Sequence, residues 1–152
     1  MKIKQVFLPN ENATKKLAQA IGVLVKAGDM IALYGDLGAG KTCFARAIIR
    51  FLMKDENLNI PSPSFALLQP YQKDKQVILH VDLYRIKHPD EVEELGLFDD
   101  ENAIIFIEWP QNAPDLTKNA DWQIYLETGE NGLGRVAKVK SKHEINLAGL
   151  EI

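Results

Sequence analysis

Hydrophobic positions alternate at the start of the chain and then recur at helical spacing. Residues 2–8 alternate enough to predict a short strand. Residues 10–28 place apolar side chains three and four positions apart, which predicts an amphipathic helix. Either Asn10 or Asn12 can cap the start of this helix, and Gly28 can end it. The pattern therefore predicts a strand followed directly by a helix.

The next segments continue this alternation. Residues 29–35 are a short apolar run that predicts a buried strand, and residues 41–54 carry one apolar helical face. Two prolines and two serines make 59–64 a loop. Residues 65–72 and 76–85 predict two further strands around a polar turn.

The last part of the chain is richer in strands. Residues 88–96 begin with proline and acidic side chains and end at glycine, which is typical of a short helix. The apolar core of 102–109 predicts a buried central strand. Residues 121–127 and 134–140 predict two strands joined by a glycine-rich turn. Alternating strands and helices predict a partly parallel sheet with helices outside it and an antiparallel addition at the end.

Composition narrows the function classes. A chain of 152 residues with 46% hydrophobic side chains suits one domain with its own core, spanning 1–152. The net charge of −3 does not favour a protein that grips nucleic acid by itself. The basic stretch 134–143 is a candidate patch, but we favour a solvated strand face with lysines on an edge.

Cysteine usage and hydropathy exclude other classes. The single cysteine, Cys43, excludes an internal disulfide framework and a multi-cysteine zinc site. It is expected to pack inside the second helix rather than to act as a nucleophile. The first ten residues lack the apolar core of a signal peptide, and no stretch approaches the ~20 apolar residues of a membrane span. The sequence therefore predicts a cytoplasmic protein without a membrane partner.

The motif YGDLGAGKT carries the clearest chemistry. Gly35, Gly38 and Gly40 let the backbone curl around phosphate oxygens, where a β-carbon would intrude. Exposed N–H groups and the positive end of the following helix attract the anion. Lys41 can reach the β- and γ-phosphates, and the Thr42 hydroxyl can ligate magnesium. The predicted nucleotide-binding residues are Leu37, Gly38, Ala39, Gly40, Lys41, Thr42 and Cys43.

Magnesium needs an acidic partner at the end of a neighbouring strand. Glu108 follows the cleaner apolar run and is the first choice, so Thr42 and Glu108 are the predicted metal ligands. Asp82 is the second choice, or acts through water. Ser62 and Ser64 lie where a switch loop is expected, and a hydroxyl there can sense the γ-phosphate or hold a water. The alternative for this loop is an ordinary proline-stiffened turn.

Other side chains leave alternatives open. Arg85 stabilises phosphate charge or pairs with a surface acid, and Trp109 stacks on a base or a partner or belongs to the core. The histidines form no site by sequence. His80 is expected to pack within its strand, and His88 and His143 are expected to be exposed.

With these residues in place, nearly the whole chain resembles the TsaE family, also called YjeE. Four blocks in order carry the resemblance: GDLGAGKT at 35–42, SPSF at 62–65, HVDLYR at 80–85 and IEWP at 107–110. The combination is much more specific than any one block. One departure is Ser64, where the family often has threonine, and the hydroxyl is kept.

The resemblance implies an α/β fold of the P-loop NTPase type, a three-layer sandwich with a mostly parallel central sheet and added antiparallel strands. It implies ATP/ADP and Mg²⁺ as ligands, slow hydrolysis, and action on the TsaB–TsaD complex that forms threonylcarbamoyladenosine at tRNA position 37. Contact with tRNA would be only indirect, through that complex. Lys41, Asp82 and Glu108 would be catalytic, and Trp109 would serve the nucleotide site or the partner surface. The catalytic base stays open between Asp82, Glu108 and a positioned water.

The alternative is a small-molecule or nucleoside kinase with the same loop. Such an enzyme needs an acceptor site and usually a lid, and little chain remains for either. A guanine-specific enzyme is disfavoured because the segment 117–121, TKNAD, departs from the N-K-x-D motif. We also expect Lys41 to face solvent when the site is empty, so that its replacement by alanine leaves the domain folded.

Overall fold

A computed structural model describes residues 1–36 and 38–147. Its centre is a seven-stranded mixed sheet with the strand order β1-β7-β6-β2-β5-β4-β3. The strands are β1 (Lys2–Leu8), β2 (Met30–Tyr34), β3 (Leu68–Lys73), β4 (Gln76–Asp82), β5 (Ile104–Glu108), β6 (Trp122–Thr128) and β7 (Arg135–Ser141).

Four neighbouring strands in the middle of the sheet are parallel. β2 pairs in parallel with both β5 and β6, and β4 pairs in parallel with β5. Antiparallel strands complete the sheet, with β3 beside β4 at one edge and β7 and β1 beyond β6 at the other. The predicted mostly parallel sheet with antiparallel additions is therefore confirmed. The parallel arrangement places the carboxyl ends of β2, β4, β5 and β6 together at one end.

Two long helices cover one face of the sheet, as the apolar periodicity predicts. They are α1 (Glu11–Leu24) and α2 (Lys41–Met53), which pack against each other. The Asn10 side chain caps α1 by accepting from the Ala13 N–H at 2.9 Å. The prediction that Gly28 ends this helix is wrong, because α1 stops at Leu24 and an extended Val25 follows.

Short helical segments cover the opposite face. They are a 3-10 helix at Pro89–Leu95, a second at Pro110–Asn112 and the one-turn helix α3 (Pro114–Thr117). Their apolar residues join Ala32, Ile105 and Ile107 in a second hydrophobic cluster. The molecule is thus a three-layer sandwich with one thick and one thin helical layer. No helix in the described ranges is long and apolar enough to cross a membrane.

Two strand boundaries and the place of one strand in the sheet also differ from the sequence-based expectations. β3 begins at Leu68 rather than at residue 65, because residues 63–66 form a turn that leaves Phe65 83% exposed. β4 ends at Asp82 rather than at residue 85. β7 lies between β1 and β6, so the lysines of 134–143 are not on an edge, although Lys138 does face solvent.

Candidate nucleotide site

The glycine-rich loop joins β2 to α2 at the carboxyl end of the parallel strands. Gly35 has a φ of 149°, and a β-carbon there would lie 2.5 Å from the Leu126 carbonyl oxygen. Gly40 is the N-cap of α2 with a φ of 100°, and no side chain caps this helix. The first-turn amides of α2 are therefore available to an anion. Leu37, one of the predicted nucleotide-binding residues, lies outside the described residues.

Lys41 is buried, which corrects the expectation that it faces solvent. The residue is only 5% exposed, and its ammonium nitrogen lies 3.5 Å from the centroid of the Trp109 ring. Within the described part of the chain, Nζ has no hydrogen-bond partner. Burial lowers the pKa of Lys41, and the nearby Glu108 and Asp82 carboxylates partly oppose that shift. A buried ammonium without a hydrogen-bond partner is prepared for an anionic ligand.

Trp109 holds this position through an unusual backbone conformation. Its φ of 57° lies in the left-handed region, directly after β5 ends. The indole also packs against the Tyr84 ring, with centroids 4.8 Å apart. Trp109 is half-buried, so it is neither a free surface ring nor a core residue. The bend aims the indole toward the loop lysine.

Glu108 connects the loop to the sheet. Its Oε1 accepts a hydrogen bond from the Thr42 hydroxyl at 3.0 Å. Its Oε2 lies 2.7 Å from Nε2 of His80, a residue with no exposed surface. The two predicted metal ligands are thus brought together, and the imidazole fixes the orientation of the carboxylate.

Asp82 contacts the loop that carries Ser62 and Ser64, here called the serine loop, as Glu108 contacts the glycine-rich loop. Its Oδ2 accepts from the Ser64 hydroxyl at 3.1 Å, and its Oδ1 accepts from the Tyr84 N–H at 2.8 Å. Ser64 also contacts the Ser62 hydroxyl at 2.8 Å. Asp82 and Glu108 are register partners on β4 and β5, so both carboxylates lie at the same level of the sheet.

These side chains line one cavity of about 500 Å³. The cavity reaches from the glycine loop and Thr42 across to Asp82, Glu108 and Trp109. Arg85 also lines the cavity, with its guanidinium 4.2 Å from the Phe65 ring centroid. Among the described residues it pairs with no surface acid, and its role at a phosphate stays a prediction. The lining combines two carboxylates, hydroxyls, an ammonium and aromatic rings.

A second cavity of about 240 Å³ adjoins the other side of the loop. Asn10, Thr14 and Arg135 line it, and Cys43 touches both cavities. Arg135 donates from Nη2 to the Gly38 carbonyl at 3.0 Å, which ties β7 to the loop. Burial raises the pKa of the Cys43 thiol, which keeps it protonated and disfavours a nucleophilic role.

The remaining histidines divide between expectation and correction. His88 is exposed as predicted. Its backbone N–H donates to the Glu91 carboxylate at the start of the first 3-10 helix. His143 is only half-exposed, because it packs beside Trp122 and Asp29 at the opposite end of the sheet. His80 is packed within its strand as predicted.

Sequence reasoning missed two neighbours of the site. The contact of His80 with Glu108 depends on the pairing of β4 with β5, whose register the sequence does not specify. The contact of Arg135 with the loop joins segments 97 positions apart. The HVD order near a strand end was the available signal for His80, since alternate strand residues share a face.

Comparisons with known proteins identify the family of this chain. The family model of the threonylcarbamoyl adenosine biosynthesis protein TsaE matches residues 8–137. The chain belongs to the TsaE family. It is therefore a member of a family involved in tRNA threonylcarbamoyladenosine biosynthesis.

Several TsaE proteins are similar over most of their length. The one from Rickettsia typhi is 45% identical over 137 residues, covering 90% of this chain and 94% of the relative. The one from Rickettsia conorii is 40% identical over 140 residues, covering 91% and 79%. The one from Aquifex aeolicus is 38% identical over 109 residues, covering 72% and 78%.

A solved structure supports the fold. The crystal structure of YdiB from Bacillus subtilis superposes with a TM-score of 0.70 and covers 93% of this chain and 87% of its own. Its sequence is 22% identical, so this likeness speaks for the fold alone.

Proposed function

We propose that this TsaE-family protein binds ATP with magnesium, hydrolyses it slowly, and uses it to act on a TsaB–TsaD complex that modifies position 37 of tRNA. The observation that carries the proposal is the contact between Thr42 and Glu108 directly beside the buried Lys41. Such a protein would work in the cytoplasm with its tRNA-modifying partners and would meet tRNA only through them.

The site fits a polyphosphate because it holds buried hydrogen-bond donors that lack an acceptor among the described residues. The Lys41 ammonium lacks a hydrogen-bond partner within the described residues and lies next to the uncapped start of α2. A β- or γ-phosphate oxygen would satisfy both. The adenine would fit the adjoining cavity between Asn10, Thr14 and Arg135, since Gly40 and Cys43 line both spaces.

The site also fits magnesium by the chemistry of its donors. Thr42 Oγ1 and Glu108 Oε1 are hard oxygen ligands 3.0 Å apart, and magnesium takes few protein oxygens and keeps several waters. Thr42 and Glu108 would hold the ion, which when bound would neutralise charge on the phosphate oxygens. His80 would keep Glu108 in place.

Asp82 and Ser64 would serve the attacking water. The 3.1 Å contact between Ser64 Oγ and Asp82 Oδ2 sets a hydroxyl and a carboxylate at the side of the cavity opposite the glycine loop. Asp82 would orient the water, and Ser64 would order the loop that carries it. The contact between Ser64 and Asp82 joins two side chains and could open for a water, while the Tyr84 N–H would keep Asp82 in place.

A direct test separates this factor from a kinase. Purified protein receives Mg-ATP, with or without TsaB and TsaD, and phosphate release is followed over time. We expect slow release from the protein alone and faster release with both partners. If the partners have no effect and a small phosphate acceptor drives turnover instead, the kinase is the correct reading.

A further inference from the structure

A groove of about 490 Å³ lies on the thin-layer side of the sheet. One wall is the 3-10 helix Pro89–Leu95 with the turn that follows it, and the other is α3. Val92 and Leu97 form a buried apolar floor, and the Phe98 ring stands 58% exposed at the rim. An exposed phenylalanine beside an apolar floor is typical of an interaction surface.

The rim of this groove is acidic. Among the described residues, four exposed carboxylates line it and no lysine, arginine or histidine does. The four are Asp90, Glu93, Asp99 and Asp115. Among the residues that the structure describes, none of the four forms an ion pair or accepts a side-chain hydrogen bond. We call this surface the acidic groove.

The charge of the acidic groove is a local property, not a consequence of the composition. Residues 88–101 carry seven carboxylates without a lysine or arginine. Since the chain has 21 acidic and 18 basic side chains, the rest of it is net basic. Carboxylates gathered without partners repel one another, and this repulsion is relieved when a basic surface binds.

The two walls of the acidic groove follow in sequence after β4 and β5, the strands that carry Asp82 and Glu108. The chain passes from Asp82 at the end of β4 into the first wall, and from Glu108 at the end of β5 through Pro110–Asn112 into α3. Asn112 donates from Nδ2 to the Leu83 carbonyl at 2.8 Å, which joins the two exits. Leu83 also donates its N–H to the Glu108 carbonyl at 3.0 Å. These two hydrogen bonds connect the walls of the acidic groove to the strand ends that carry Asp82 and Glu108.

We propose that the acidic groove is the surface that docks the TsaB–TsaD complex, through a protein segment bearing basic and apolar side chains. This rests on the proposed function, which supplies the partner. Nucleic acid does not fit, because its phosphates would meet four unpaired carboxylates. Phe98 supplies the apolar contact, and the carboxylates supply orientation and association rate.

The test measures binding of purified TsaB–TsaD to the full chain by biolayer interferometry at low and physiological salt. The groove variant combines Asp90→Asn, Glu93→Gln and Asp115→Asn, which keep shape and remove charge. We expect about tenfold weaker binding and a shallower dependence on salt. Removal of mutual repulsion should leave the melting temperature unchanged or raise it, so lost binding cannot be ascribed to unfolding. ATP affinity should also be unchanged.

A control variant removes the same number of negative charges outside the acidic groove. Asp55→Asn, Glu56→Gln and Asp74→Asn alter three exposed carboxylates outside the acidic groove and should leave binding within about twofold of the wild type. Phe98→Ala should weaken binding about tenfold, whereas Leu133→Ala, at a 69% exposed position, should not.

The outcomes separate the two proposals. If the wild type binds TsaB–TsaD and the groove variant binds equally well, the docking surface is wrong while the proposed function stands. If the wild type does not bind the complex with ATP, with ADP or without nucleotide, the partner of the proposed function is wrong and the docking surface falls with it. If the control triple weakens binding as much as the groove triple, general charge rather than this surface is responsible, and the inference is overturned.

Discussion

The two ends of the parallel strands each bury a carboxylate beside a histidine, yet side-chain hydroxyls donate only to the carboxylates at the carboxyl end. At the carboxyl end, Glu108 lies 2.7 Å from His80 and accepts from the Thr42 hydroxyl. Asp82 there accepts from the Ser64 hydroxyl through Oδ2 and from the Tyr84 N–H through Oδ1. Both hydroxyls sit on segments that face the 500 Å³ cavity.

At the amino end, Asp29 lies 3.4 Å from His143 and is also buried. Its Oδ2 accepts from the Lys26 N–H at 3.0 Å and from the Trp122 indole at 3.2 Å. Asp121 likewise accepts from the Met30 N–H. These donors belong to the backbone and the core, so they hold strand ends in place.

The difference shows how to distinguish a buried carboxylate in a binding site from one that only stabilises the fold. A hydroxyl that loses its carboxylate partner can bind a metal ion or a water instead, at little cost in free energy. A buried amide or indole N–H left unpaired costs about 1–3 kcal/mol of stability. Burial and a neighbouring histidine are common to both ends and do not discriminate. The exchangeable donors, the buried Lys41 ammonium and the glycine loop occur together only at the carboxyl end of the described structure.

The largest effect is expected at Lys41. Lys41→Met keeps an aliphatic chain against Trp109 but removes the charge, so phosphate release should fall by at least about 100-fold. Because the ammonium is buried without a partner, the melting temperature should hold or rise. Single-turnover phosphate release and thermal unfolding measure the two effects. A variant that unfolds would show that Lys41 is a structural residue.

The next effect separates the two carboxylate environments. Glu108→Gln keeps the volume and the contact with Thr42 but weakens a magnesium ligand, so turnover should fall about 100-fold while a fluorescent ATP analogue still binds. The magnesium concentration for half-maximal turnover should rise. Glu127→Gln, at an exposed position at the end of β6, is the control. Unchanged turnover in the Glu108 variant would remove Glu108 from the site.

A smaller effect tests the serine loop. Ser64→Ala removes the donor to Asp82 and should lower turnover about tenfold. Ser62→Ala removes only a contact to Ser64 and should change turnover less than about threefold. Equal effects of the two substitutions would show that the loop acts as a unit and not through the Ser64–Asp82 contact.

The smallest effect on turnover is expected at the amino end. Asp29→Ala leaves the Lys26 N–H and the Trp122 indole unpaired and should lower the free energy of unfolding by about 2 kcal/mol. Turnover per folded molecule should stay at the wild-type level. Urea unfolding and phosphate release below the transition measure both. A loss of turnover without a loss of stability would erase the distinction between the two ends.

Much of the site could be predicted from the sequence because its parts are local or fixed by topology. The glycine spacing determines the loop, and parallel strands carry Asp82 and Glu108 to one edge whatever their exact register. Burial of Lys41 could not be predicted, since it depends on the left-handed backbone of Trp109. A tryptophan such as Trp109 gives no sign in the sequence that its φ is positive.

The predicted element boundaries are wrong where the conformational preference of a residue type and the tertiary packing disagree. Phe65 favours a strand by residue type, but the turn at 63–66 turns its side chain away from the sheet toward Arg85. Gly28 has the positive φ of 87° suited to a helix end, yet it serves a turn whose N–H donates to the Asn102 carbonyl. At Gly28 the sequence indicates a bend but not the element to which it belongs. At Phe65 it predicts a strand where the turn still continues.

The most direct test is a crystal structure with magnesium and a non-hydrolysable ATP analogue. We predict that the β- and γ-phosphates contact Lys41 Nζ and the first-turn amides of α2, and that magnesium lies between Thr42 Oγ1 and Glu108 Oε1 in place of their 3.0 Å hydrogen bond. The contacts of Asp29 at the other end should be unchanged. A nucleotide bound elsewhere, with the hydrogen bond between Thr42 and Glu108 intact, would contradict the account.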